Sequence, residues 1–150
     1  MNSKKPIEQE IDDGIGKIEA LLALAKEKKE LDAKSAHEAA LMSTLGTLYA
    51  RKAEINNSNP RSAGALIADS YRYLDKAISR HPQDLMARVN RGLVSSKVPD
   101  FLGKAEIAHE DLKFVRDHAD FGKLSPKLQD TIKQALAEVD SRLAKSDLER

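Results

Sequence analysis

The sequence predicts an all-α fold of about six helices. Apolar residues recur at steps of three and four almost throughout, and no stretch sustains strand-like alternation. Ala, Leu, Lys and Glu dominate, while β-branched residues are sparse. Proline- and glycine-containing clusters interrupt the pattern at the points where helices must turn. A chain of 150 residues, 41% hydrophobic, is expected to form a single helical domain over 1–150 with a core of its own.

The first helix is expected over about Ile7 to Leu31, within an N-terminal segment of residues 1–34. Its stripe is Ile7, Ile11, Ile15, Ile18, Leu22 and Ala25, and Gly14 and Gly16 predict a break in its first half. The second helix spans about Ala36 to Ile55. Ser35 with Glu38 reads as a capping box, and Leu41, Leu45, Leu48 and Tyr49 form the buried side. Asn56 to Gly64 is the clearest turn-rich segment, followed by a third helix over about Ala63 to Arg80. Its inward residues are Leu66, Ile67, Tyr71, Leu74, Ala77 and Ile78. His81-Pro82 ends it, because the residue before proline is pushed out of the helical region.

Asp84 caps a fourth helix over Leu85 to Lys97. The connector Val98 to Gly103 follows, with Phe101 as its expected apolar plug. The fifth helix covers about Lys104 to His118 and turns Ala105, Ala108, Leu112 and Val115 inward. Ser125-Pro126 supplies a cap and a first-turn proline for the sixth. That helix, within 125–147, carries the cleanest stripe: Leu128, Ile132, Ala135, Leu136, Val139 and Leu143.

Composition narrows the function. Lys plus Arg is 25 and Asp plus Glu is 24, so the net charge is +1. In the last third, acids and bases interleave along the helices, the pattern of a solvated surface; a nucleic-acid partner is not expected. The absence of cysteine removes disulfides, thiolate metal sites and a cysteine nucleophile. No His pair has ligand-like helical spacing, and Asp117-His118-x-Asp120 reads as a helix end. There is no G-x-S-x-G, H-E-x-x-H or phosphate-cradling glycine loop, so neither an enzyme nor a cofactor or metal is expected. The first 20 residues lack the apolar run of a signal peptide, and membrane insertion is not expected. A cytoplasmic location is the default, with the periplasm open should a signal sequence have been removed.

Two stretches repeat. The first reads Leu45-Gly46-x-x-Tyr49, then Ser70-x-x-x-Leu74-x-x-Ala77, then Pro82. The second reads Arg91-Gly92-x-x-Ser95, then Ala108-x-x-x-Leu112-x-x-Val115, then Asp120. This resembles a degenerate tetratricopeptide repeat of the bacterial type, over about residues 38–120. The family's glycine lets two antiparallel helices approach closely, a small residue faces it, and a large residue one turn later fills the hairpin. Both hairpin turns here are longer than the family's, and the second repeat places Arg91 where a leucine is usual and lacks the tyrosine and proline.

The resemblance implies two helix pairs over 36–120, stacked as a short superhelix and closed by the last helix as a cap. It also implies a protein or peptide partner held in a groove lined by the first helix of each pair. By helical phase that face would carry Ala40, Ser43, Thr47, Ala50 and Arg51, then Met86, Val89, Asn90, Leu93 and Lys97. The alternative is a self-associating subunit, a homo-oligomer whose groove is filled by its own or a neighbour's N-terminal helix. Arg88 and Arg91 fall at positions the family keeps apolar. A buried Arg91 demands a carboxylate partner, Asp111 or Glu110 on the fifth helix.

Overall fold

The computed structural model describes residues 6–28 and 36–149. The fold is all-α, with six helices and no strand among the described residues. They are α1 (Pro6–Lys28), α2 (Ala36–Ile55), α3 (Pro60–Arg80), α4 (Leu85–Lys97), α5 (Ala105–Asp117) and α6 (Pro126–Leu148). Short 3-10 turns occupy Asp100–Leu102 and Phe121–Lys123. The packing separates into two compact units at the Ala87–Arg88 bond.

In the first unit α2 and α3 form a hairpin, and α1 lies along α2. Asn59 and Pro60, expected as loop, instead start α3: the Asn59 side chain accepts from the Ser62 amide at 3.2 Å, and Pro60 takes the first turn. The turn is therefore shorter than its composition suggested, because asparagine and proline serve a helix N-terminus as well as a loop. Asn56 closes the other side of it, its side-chain amide donating to the Lys52 carbonyl at 2.8 Å. His81 ends α3 as expected, its amide donating to the Ala77 carbonyl at 2.8 Å.

The expected break in α1 does not occur; Pro6–Lys28 is one helix. Gly14 faces Leu48 of α2 so closely that an added Cβ would sit 3.2 Å from Leu48 Cδ1. Tertiary packing overrides a glycine propensity cost of about 1 kcal/mol. Ile11, Ile15 and Leu45 form the centre of this contact, with Ile18, Leu22, Leu48, Tyr49, Ile55 and Tyr73 around it. Ile7, expected in the stripe, is exposed. The expected cap residue Ser35 and the side chain of Ala25 lie outside the described residues.

Inside the α2–α3 hairpin, Gly46 is the point of closest approach. A Cβ there would meet Leu74 Cγ at 2.6 Å and the Ser70 carbonyl at 2.9 Å. The Ser70 hydroxyl donates to the Gly46 carbonyl at 2.6 Å. Leu74 is fully buried beside it.

In the second unit α5 and α6 lie against one another, burying Ala108, Leu112 and Val115 of α5 and Ile132, Leu136 and Val139 of α6. The sixth helix starts as expected, with the Ser125 hydroxyl accepting from the Leu128 amide at 3.2 Å. Gly92 on α4 repeats the role of Gly46: a Cβ there would meet Leu112 Cδ2 at 2.9 Å and Asp111 Cβ at 3.1 Å. The connector after α4 departs from expectation. Phe101 is not a plug but 86% exposed. Its 3-10 turn closes on itself, with Leu102 N to Pro99 O and Gly103 N to Asp100 O both at 3.0 Å, and Gly103 takes φ 68°. This tight local geometry carries the ring outward against its hydrophobicity.

Two glycine substitutions separate close packing from helix propensity. Gly46→Ala forces Leu74 or the backbone at Ser70 to shift and should cost about 1–3 kcal/mol of stability. Gly16→Ala has open space around its Cβ and should stabilise by about 0.5–1 kcal/mol. Urea denaturation followed by circular dichroism measures both; equal effects would overturn the crossing assignment.

Candidate partner-binding faces

Ser43, Thr47 and Arg51 share one side of α2, at successive steps of four. Ser43 is fully buried and Thr47 is half-buried, its hydroxyl donating to the Ser43 carbonyl at 3.0 Å; Arg51 is exposed. Ala40 is exposed and Ala50 half-buried on the same side. Ser43 therefore cannot line an open face, because a small side chain at 0% exposure belongs to packing. In the first unit Met86 of α4 is 41% exposed. In the second unit Val89 is buried at 1% exposure and drops out of the face for the same reason. Asn90 and Leu93 are half-buried and Lys97 is exposed.

The N-terminal helix packs on α2 next to the predicted side. Its apolar contacts include Leu45 and Tyr49, about half a helical turn from Thr47, but also Leu48 and Ile55, which lie one turn before and one turn after Arg51. Polar contacts follow the same side. Lys52 Nζ pairs with Asp12 at 2.7 Å, the Asn56 amide donates to Glu8 at 3.2 Å, and the Tyr49 hydroxyl donates to Glu19 at 2.7 Å. Burial, and then the bond to the Glu19 carboxylate, push the Tyr49 phenol well above its ordinary value. It stays a protonated donor. Tyr49 also stacks on Tyr73 at 5.8 Å, and the Arg72 guanidinium sits 4.8 Å over the Tyr73 ring.

Two buried carboxylates organise the charged interior. On α5, Asp111 is fully buried and takes both arginines that replace expected apolar residues on α4. Arg91 Nε donates to Oδ2 at 2.7 Å and Arg91 Nη2 to Oδ1 at 3.1 Å, the two-pronged arrangement of a guanidinium on a carboxylate. Arg88 Nη1 donates to Oδ1 at 2.8 Å and lies 4.9 Å over the Phe114 ring. The demand for an Arg91 partner is met by Asp111. The participation of Arg88 was not anticipated, although its step of three from Arg91 puts both on one helix side.

The second carboxylate is Glu38, near the start of α2. Its Oε1 accepts from Arg80 Nε at 3.1 Å and lies 3.0 Å from His81 Nε2. Glu38 and His81 are both buried. The capping reading of Glu38 had no access to this cluster, since its members lie some forty residues apart and only the hairpin joins them. A third feature escaped the sequence for the same reason. Arg142 of α6 donates from Nη2 to the Ser96 carbonyl in the last turn of α4 at 2.9 Å, and its Nη1 lies 3.4 Å from Asp100. The open cleft beside it, about 500 Å³, is edged by Asp100, Glu106, Lys145 and Glu149, a mixed-charge surface.

No described helix is long and apolar enough to cross a membrane. Compared with protein-family models, curated proteins and solved structures, the chain matches none.

The Asp111 cluster gives a stability test. Asp111→Ala leaves two inward guanidiniums without the carboxylate they share and should cost about 3–5 kcal/mol. Replacing Arg88, Arg91 and Asp111 together with apolar residues of similar volume should cost far less, since no charge is then desolvated without its counterpart. Chemical denaturation of both variants checks this; a single substitution costing less than about 1 kcal/mol would overturn it.

Proposed function

We propose that the chain is a non-enzymatic interaction module built from two degenerate tetratricopeptide-like hairpins, which binds a peptide or partner helix. The single observation that carries this reading is the repeated crossing. Gly46 meets Leu74 with Ser70 facing it, and Gly92 meets Leu112, at the positions the repeat pattern assigns to a close-approach glycine and its plug. A generic pair of helices has no need to place glycine opposite leucine at corresponding points of two successive hairpins.

The faces available to a partner are narrower than the sequence implied, each unit taken by itself. With Ser43 and Val89 buried, Thr47, Arg51 and Met86 remain accessible in the first unit, and Asn90, Leu93 and Lys97 in the second. In the second unit Leu93 offers apolar contact and Lys97 a cation, a pairing suited to an amphipathic segment with an acidic flank.

Panning a random-peptide display library on the immobilised full chain tests the proposal. Enriched peptides should be apolar with acidic flanks, and each should bind about ten-fold more weakly to Leu93→Asp and to Lys97→Glu. No enrichment, or enriched peptides indifferent to both substitutions, would overturn the reading.

A further inference from the structure

α1 is apolar on two sides. Ile11 and Ile15 are buried toward α2, yet Ile7, Leu21 and Leu24 are 46%, 51% and 44% exposed. Ile7, Gly14 and Leu21 recur at a spacing of seven, and so do Glu10, Lys17 and Leu24. Two rows at this spacing, three residues apart, form the seam of a helix that packs on another helix. Gly14 lies against Leu48 of α2, while Ile7, Glu10, Lys17, Leu21 and Leu24 of the seam are exposed.

We propose that this seam is a homodimer interface, in which α1 of one copy packs antiparallel on α1 of a second about a two-fold axis near Ile15 and Gly16. The assignment to a second copy comes from the seam's own order. In this arrangement Ile7 faces Leu24 of the other copy and Leu21 lies over the stem of Glu10. Each apolar end thus meets an apolar end. Each Lys17 comes level with residue 14 of the other copy, within reach of that copy's Glu10 and Asp13, both exposed. Because the axis makes the contacts reciprocal, the two lysines form two equivalent ion pairs, as an isologous interface requires. A parallel arrangement would place Lys17 on Lys17 and Glu10 on Glu10. The acids Glu10 and Asp13 on the exposed side also disfavour an anionic lipid surface, which calls for basic flanks.

The seam is one short helix long, below the size of a standard stable interface, so the dimer is a weak one. It requires nothing of the α2 and α4 faces and stands or falls apart from the peptide-binding proposal.

Sedimentation velocity on the full chain, from about 10 µM to about 1 mM, tests it. The expected result is a concentration-dependent shift from monomer to dimer. Leu21→Glu combined with Leu24→Glu should abolish it, since both positions are exposed in the monomer and circular dichroism should be unchanged. Lys17→Glu alone should weaken the dimer about five-fold or more by setting acids against acids. Mixing Lys17→Glu with a Glu10→Lys, Asp13→Lys chain should restore association as a heterodimer. A monomer at every concentration would overturn the proposal. So would a dimer that survives the double leucine substitution, for instance one that Phe101→Asp abolishes instead.

Discussion

The close crossing of paired helices at glycine is the constraint on which both units depend. At Gly46 and at Gly92 the facing leucine occupies the volume a side chain would need. Glycine costs a helix about 1 kcal/mol in propensity. A methyl group forced into either crossing would cost more, through displaced leucine rotamers and backbone. The larger effect decides the residue. Everything around the crossing is then specified by proximity. Backbones this close bring the Ser70 hydroxyl onto the Gly46 carbonyl, and they bring Asp111 of α5 within reach of Arg88 and Arg91, in the turn that precedes Gly92.

The two crossings are stabilised by different chemistry. The first is flanked by apolar residues and one hydroxyl, with its charged cluster remote from it, where Glu38 meets Arg80 and His81. The second has a carboxylate and two guanidiniums beside the glycine itself. A buried ion cluster contributes little net stability against an apolar replacement, but it penalises any register that separates its members. A guanidinium with two prongs on one carboxylate tolerates little sliding between helices, whereas leucine on glycine tolerates a partial rotation. The α4–α5 pair, only 13 residues on each side, thus acquires directional contacts that the longer α2–α3 pair supplies through length.

Local signals were read from the sequence because their causes are local. The α4 boundaries, the Asp84 and Ser125 caps and the His81-Pro82 stop each follow from residues within one helical turn. The α3 start was misplaced because Asn59-Pro60 satisfies both a turn and a cap, and only the Ser62 amide settles between them. Gly14 was misread as a break because propensity is visible in sequence and Leu48 is not. Phe101 failed in the opposite sense: hydrophobicity argued for burial, and a turn closed by two backbone bonds carried it outside. For the candidate faces, helical phase groups residues by side but gives no measure of depth. Ser43 and Thr47 differ by one turn, yet one is buried and the other half-exposed. Arg91 with Asp111 was legible because a buried charge demands a partner; Glu38 with His81 was not, because neither residue alone announces its burial.

The two sides of α2 divide the work of the first unit. The side holding Leu45, Leu48, Tyr49 and Lys52 is committed to α1 by apolar contact, an ion pair at Lys52 and the phenol of Tyr49. The side holding Thr47 and Arg51 runs on to Ile55, which belongs to the same apolar cluster as Ile11 and Ile15. A segment bound at Arg51 would therefore meet the edge of the α1 contact, whereas α1 could engage a second copy through Leu21 and Leu24 without opening its contact with α2. Association through α1 and capture on α2 would then be thermodynamically independent unless one of them shifts α2 itself, because coupling requires a ligand to favour one conformation of a shared element. Gly14 is the place where such a shift would be felt. It lies against Leu48, at the border between the α2 contact and the exposed residues Lys17 and Leu21, so a sliding of α2 past α1 would be felt at both.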